Sequence, residues 1–169
     1  RWRSEKWPQK SAQDINDEEL WSLRNTLRQQ LVTYIEGQTG VKLNSSALTI
    51  VWARRFASYK RPEQLFADLK RLAEVVSIQG KPVQFIISGK AHKDDKEGQA
   101  TVARIKEYVT RPDFLGKIVY VPEYSINISK ELIFGADVWL NTPVPGFEAC
   151  GTSGMKAALN GALQCSTRD

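Results

Sequence analysis

The 169-residue sequence predicts an α/β fold: an open, doubly wound parallel sheet with helices on both faces. Three observations carry that reading. From residue 48 onward, short apolar runs rich in β-branched residues alternate with segments of helical period, the pattern of βαβ units joined by right-handed crossovers. The runs are near-continuously apolar, as strands covered on both faces must be. Composition is ordinary for a packed domain, 41% hydrophobic and 25% charged, and the length suffices for one sizeable core.

The elements follow in order. The first fifteen residues are polar, with Trp2, Trp7 and Pro8 among charges, and read as an irregular lead-in. The two tryptophans suggest docking, on this domain or on protein outside this sequence. Asn16 followed by Glu19 fits a capping box. Leu20, Leu23, Leu27, Leu31 and Tyr34 or Ile35 then recur at helical spacing, and Gly37 and Gly40 end the helix. Residues 1–46 are thus a lead-in segment and N-terminal helix, and 47–169 the α/β core. Leu48 to Ala53 reads as the first strand. A helix begins at Pro62 and turns Leu65, Phe66, Leu69, Leu72, Ala73 and Val76 inward, and Gly80 stops it. Val83 to Ile87 is the second strand. A charged helix with Val102, Ile105, Tyr108 and Val109 inward follows. Lys117 to Val121 is the third strand, and a short helix carries Ile128, Leu132 and Ile133. Val138 to Leu140 is the fourth strand, Thr152 to Asn160 a helix, and Ala162 to Cys165 the fifth strand.

Composition also bounds function. Lys and Arg total 24 against 19 Asp and Glu, a net charge of +5. That suits an anionic ligand such as a phosphate. The charges are spread along the chain rather than blocked, which argues against nucleic acid. The run Lys93 to Glu97 is mixed in sign and reads as a solvated surface. Cys150 and Cys165 make no disulfide framework, and with a single histidine they make no metal site, so a reducing cytoplasm is expected. No apolar run approaches the length of a membrane span. The chain opens on Arg1 with no signal-peptide pattern, as an excised piece of a longer protein would.

Ligands of open parallel sheets bind outside the carboxyl ends of the strands. After strand one come Arg54, Arg55, Tyr59, Lys60 and Arg61. After strand two come Ser88, Gly89, Lys90 and His92, and after strand three Glu123 and Tyr124. Strand four is followed by Asn141, Glu148 and the run Gly151 to Lys156. Cations therefore gather at one sheet edge beside one carboxylate. Arg54, Arg55, Lys60 and Arg61 suit a phosphate, because guanidinium groups grip its oxygens bidentately and lysine adds a point charge; a solvated basic loop is the bland alternative. Gly151-Thr152-Ser153-Gly154 before a helix offers backbone N–H groups and a positive helix end to an anion. The spacing is not that of a P-loop, and no G-x-G-x-x-G follows strand one. Lys156 falls within the first turns of that helix, where the dipole and nearby cations would favour the neutral amine that attacks an aldehyde. His92 is positioned to bond a substrate hydroxyl, and Glu148 to bind sugar hydroxyls or pair with a cation.

Five motifs in this order resemble the α-glucan (glycogen or starch) phosphorylase family, most closely its shorter bacterial and archaeal type. They are R-R-F-A-S-Y-K-R (54–61), S-G-K-A-H (88–92), E-Y (123–124), D-V-W-L-N-T (137–142) and E-A-C-G-T-S-G-M-K-A-A-L-N-G (148–161). The last is the specific one. The resemblance runs from about residue 47 to 169. It implies the Rossmann-like C-terminal half of a GT-B fold, whose active site lies in a cleft closed by an N-terminal domain of the same protein.

The implied reaction is reversible phosphorolysis of an α-1,4-glucan by inorganic phosphate to glucose 1-phosphate. The implied cofactor is pyridoxal 5'-phosphate, used through its phosphate. By motif, Lys156 resembles the Schiff-base lysine. Gly151, Thr152 and Ser153 would cradle the cofactor phosphate with Arg54 near it, and Tyr124 would pack on the pyridine ring. Arg55 and Lys60 resemble the residues that hold the substrate phosphate, and Glu148, Cys150, Gly151 and His92 take sugar-binding positions. Cys150 stands where many relatives have serine, and a thiol is the weaker donor.

Composition already points to a cytoplasmic protein without membrane or nucleic-acid partners. A homodimer is compatible with the full-length form, the sequence does not fix the oligomeric state, and a cleft with one wall implies that the piece alone is inactive. Two other functions fit the same fold: a nucleotide-sugar glucosyltransferase of the glycogen-synthase kind, and a non-catalytic glucan- or anion-binding module.

Overall fold

The computed structural model describes residues 16–168, so Trp2, Trp7 and Pro8 lie outside the described residues. Five parallel strands form one open sheet in the order β3-β2-β1-β4-β5. They are β1 (Leu48–Ala53), β2 (Val83–Ser88), β3 (Ile118–Val121), β4 (Val138–Asn141) and β5 (Leu163–Ser166). Each boundary lies within a residue or so of the expected one. Register pairs Ala53 with Ser88, and Ser88 with Val121, so these strands end level at their carboxyl edge.

Side chains alternate across the sheet into two cores. Val51, Ala53, Ile86, Val119, Val121 and Trp139 face one side, under α1 (Asp17–Thr39) and α4 (Ile126–Gly135). Trp52, Phe85, Ile87 and Ile118 face the other, under α2 (Leu69–Val75) and α3 (Lys96–Val109). Coverage on both faces is why these strands read as unbroken apolar runs. β5 departs from that rule, since all four of its residues are exposed at the sheet edge.

Two helices differ from their expected form. α1 is capped by Asn16, whose side chain accepts from Glu18 N rather than closing a box with Glu19, and it runs through Gly37 to a left-handed Gly40. Its inward face is Arg24, Arg28, Leu31, Val32 and Ile35, while Leu20 and Leu23 are exposed. The leucine spacing misled because two arginines occupy the buried stripe.

Both arginines are tied to distant elements. Arg24 donates to the carbonyls of Phe134, Ala136 and Asn160, and Arg28 Nη1 donates to both Asp137 carboxylate oxygens at 2.8 and 2.9 Å. Asp137 Oδ2 in turn accepts from Thr49 N. α1 lies close on α4 because Gly135 has no side chain; a Cβ there would meet Leu27 O at 2.9 Å.

The helix expected from Pro62 is broken in two. A 3₁₀ turn spans Pro62–Phe66, and Asp68 restarts the chain as α2 by accepting from Arg71 N. An internal N-cap competed with helix continuation and won.

Candidate active site

The carboxyl ends of β1 and β4 and the start of α5 (Thr152–Leu159) converge on a cavity of about 320 Å³. Arg54, Asn141, Pro143, Glu148, Ala149, Gly151 and Ser166 line it. β1 delivers Arg54 because the strand's ladder continues one residue past its end, with Arg54 N donating to Ser88 O. The guanidinium is 5% exposed, and its Nη2 donates to Asn141 Oδ1 and, at 3.5 Å, to Ser153 Oγ.

Arg54 Nε and Nη1 are buried and make no hydrogen bond among the described residues. Burial pushes the Arg54 pKa below its ordinary value, opposed by the Glu148 carboxylate and, less, by Tyr59 and Tyr124. An arginine in this state is a charge short of partners.

Glu148 answers only part of that need. Its Oε2 lies 3.5 Å from Arg54 Nη1, an ion pair without a hydrogen bond, and its Oε1 accepts from Lys60 Nζ at 3.2 Å. Lys60 is itself 8% exposed, with its ammonium 5.1 Å from the Tyr59 ring centre. Lys60 is held from behind. Thr142 Oγ1 accepts from Trp52 Nε1 and donates to Lys60 O at 2.8 Å, and Arg61 donates to the carbonyls of Thr142 and Pro143 at 2.8 and 3.0 Å. Arg61 takes up a left-handed backbone, φ 45°, to make these bonds.

Sequence reasoning singled out Arg61 only as one more cation and did not find the role of Thr142, nor Pro143 and Ser166 as cavity residues. Thr142 directly follows Asn141 at the end of β4, and that placement was the available signal.

α5 starts at the cavity with Gly151 as its N-cap residue, no side chain capping it. Its first N–H groups belong to Thr152 and Ser153. Gly154 lets the turn press on β5, since a Cβ there would stand 2.7 Å from Gln164 Oε1 and 3.1 Å from Asn141 Nδ2.

Lys156 corrects an expectation. α5 is eight residues long and Lys156 stands in its last turn, so the positive helix end lies at Gly151 to Ser153 and not at the amine. Its side chain is exposed, with no ion pair among the described residues, and it does not line the cavity.

The remaining expected residues divide. Arg55 is exposed next to Arg54. Tyr124 is half-buried, its hydroxyl 3.0 Å from Ser129 Oγ, and near enough to Arg54 to act on it electrostatically. Cys150 is exposed between the cavity residues Ala149 and Gly151, its Sγ 3.7 Å from Met155 Sδ. His92 is exposed and faces Asp94 at 3.5 Å; the structure does not bring it to the cavity. Among the described residues no cluster of His, Cys, Asp and Glu forms a metal site, and no helix is long and apolar enough to cross a membrane.

Comparison with known proteins gives the chain its relatives. A family model described as carbohydrate phosphorylase matches residues 7–169. The chain is 39% identical to a glycogen phosphorylase of Aquifex aeolicus over 173 residues, covering 92% of this chain and 25% of that protein. It is 36% identical to a glycogen phosphorylase of Mycobacterium bovis and 36% identical to a maltodextrin phosphorylase of Thermococcus litoralis, in each case over 92% of this chain and 20% of the relative. The chain thus spans a fifth to a quarter of the length of these curated relatives.

Proposed function

The chain belongs to the carbohydrate phosphorylase family, and from that premise we propose that it forms the phosphate-handling wall of an α-1,4-glucan phosphorylase. The reaction is transfer of a terminal glucose from an α-glucan to inorganic phosphate, giving glucose 1-phosphate. One observation carries the reading: a buried, incompletely partnered arginine stands beside a second buried cation and a helix start that no side chain caps. Such a group calls for a multivalent anion, and a phosphorylase must hold one.

The residues take the following roles. Lys60 and Arg55 hold the substrate phosphate and stabilise charge that develops on it. Glu148 accepts sugar hydroxyls, with Cys150, Gly151 and His92 as further sugar contacts once the rest of the protein closes the cleft. Arg61 and Thr142 keep Lys60 aimed.

The cavity also fits the phosphate of a phosphorylated cofactor, on the strength of the unpartnered Arg54 N–H groups, Ser153 Oγ and the start of α5, which no side chain caps. Arg54, Gly151, Thr152 and Ser153 would hold that phosphate, Tyr124 would flank the ring, and Lys156 would be the attachment point that the motif resemblance implies. Pyridoxal 5'-phosphate, when bound, supplies a second phosphate that serves as proton partner at the reacting one. Two phosphates in proximity repel, which gives the dense cation cluster its physical reason. The remainder of the protein supplies the other wall, so residues 1–169 alone are inactive. Two exposed thiols suit a reducing cytoplasm.

Peptide mass spectrometry of the full-length protein, after pyridoxal phosphate addition and borohydride reduction, tests the cofactor assignment. A reduced adduct on Lys156 is expected. An unmodified Lys156 with adducts scattered over surface lysines would overturn it.

A further inference from the structure

We propose that Glu148 is a built-in counter-anion of the phosphate site, which an incoming phosphate displaces and thereby frees to bind the sugar. The inference deepens the reading above and rests on it. Its ground is the pattern of satisfied and unsatisfied atoms. One carboxylate spans two cations, 3.2 Å from Lys60 Nζ and 3.5 Å from Arg54 Nη1. The three side chains are 5 to 16% exposed, so water compensates little of their charge. Yet Glu148 Oε2, Arg54 Nη1 and Arg54 Nε are all buried without a hydrogen bond. The trio is neutralised but poorly bonded.

A buried ion pair of this kind is held by Coulomb attraction while its donors still lack partners. A phosphate carries at least as much charge and more acceptor oxygens, so one seated on Lys60, beside a cofactor phosphate on the Arg54 N–H groups, answers both cations. Glu148 then loses its cations and faces a like charge, which drives it off. A carboxylate released at the cavity wall is an acceptor in search of donors, and sugar hydroxyls supply them. Among the described residues that line the cavity, Glu148 alone carries negative charge, so the exchange depends on this one residue.

Two consequences distinguish this from a merely structural ion pair. Removing the carboxylate's charge should strengthen phosphate binding, because the site no longer has an internal competitor. Phosphate and glucan should also bind with positive coupling that disappears with that charge, since coupling between two ligands is reciprocal.

The test is titration of inorganic phosphate into the full-length wild type, Lys60→Ala and Glu148→Gln, with and without a maltooligosaccharide. Glu148→Gln is expected to bind phosphate at least about tenfold more tightly than wild type and to lose the coupling to glucan. Equal or weaker phosphate binding in Glu148→Gln, with wild type binding and Lys60→Ala impaired, would overturn this inference alone. No phosphate binding by wild type, or binding that Lys60→Ala leaves unchanged, would overturn the phosphate-site reading and the inference together.

A crystal structure of the wild type with phosphate reads the same point without a variant. Glu148 Oε1 is expected to have moved beyond 4 Å from Lys60 Nζ, well past its present 3.2 Å. A retained contact beside a seated phosphate would contradict the displacement.

Discussion

At the scale of single residues, the chain spends its buried charges in two ways. Arg24 and Arg28 leave no buried nitrogen without a hydrogen-bond partner, bonding backbone carbonyls, Asn25 and Asp137, and they hold α1 on the sheet. Arg54 is buried as deeply but left with free N–H groups, and that contrast separates a structural arginine from a ligand-binding one. Away from the site, Glu63 shows the half-buried case. The Arg104 guanidinium bonds it at 2.6 and 2.7 Å and holds its carboxyl below the usual range, against a smaller opposing effect of burial. A depressed carboxylate contributes stability above its unfolded pKa and loses it as pH falls through the folded value. The stability difference between wild type and Glu63→Gln should therefore be full at pH 7 and shrink as pH falls through and below the ordinary carboxylate range. Thermal melts across that range check it, and a difference independent of pH would refute it. In the sequence, Arg54, Lys60 and Glu148 were legible as a cation cluster with one carboxylate. Which cation is buried was not, because burial depends on Asn141 and Ser153 arriving from distant elements.

At the scale of elements, the segment after β1 shows how a loop is made rigid. Arg61 accepts a left-handed backbone and in return bonds two carbonyls beyond β4, while Thr142 links Trp52 to Lys60 O. Removing two bonds from a charged donor should destabilise Arg61→Ala by about 2 kcal/mol. Arg61→Gly loses the same bonds but not the penalty of φ 45°, and should recover about 1 kcal/mol of it. Chemical denaturation distinguishes them; equal losses would mean that the backbone there is unstrained. Helix and strand positions were legible because apolar periodicity records which face is covered. The inward face of α1 was not, since its stripe carries arginines whose partners lie more than a hundred residues away. The break between the 3₁₀ turn and α2 was also hidden, since Asp68 reads equally as a surface residue or as a cap.

At the scale of the whole molecule, parallel strands that end level put the chemistry on one edge. The order β3-β2-β1-β4-β5 sets β1 and β4 side by side in the middle of the sheet, and their carboxyl ends carry Arg54 and Asn141. The sheet class was legible in the alternation of strands and helices. The cavity was not, because it is made by the return of α5 from 152 onto β4 and β5, a matter of packing rather than pattern. His92 and Lys156 stand outside it, so their roles depend on what the remaining length of the protein brings to this face. The most direct measurement of the central claim is phosphate-dependent release of glucose 1-phosphate from a maltodextrin by the full-length protein loaded with pyridoxal phosphate. The account predicts release by wild type and a loss of at least about a hundredfold in kcat/KM for phosphate in Lys60→Ala, with the fold retained. No release by wild type, or near-normal release by Lys60→Ala, would contradict it.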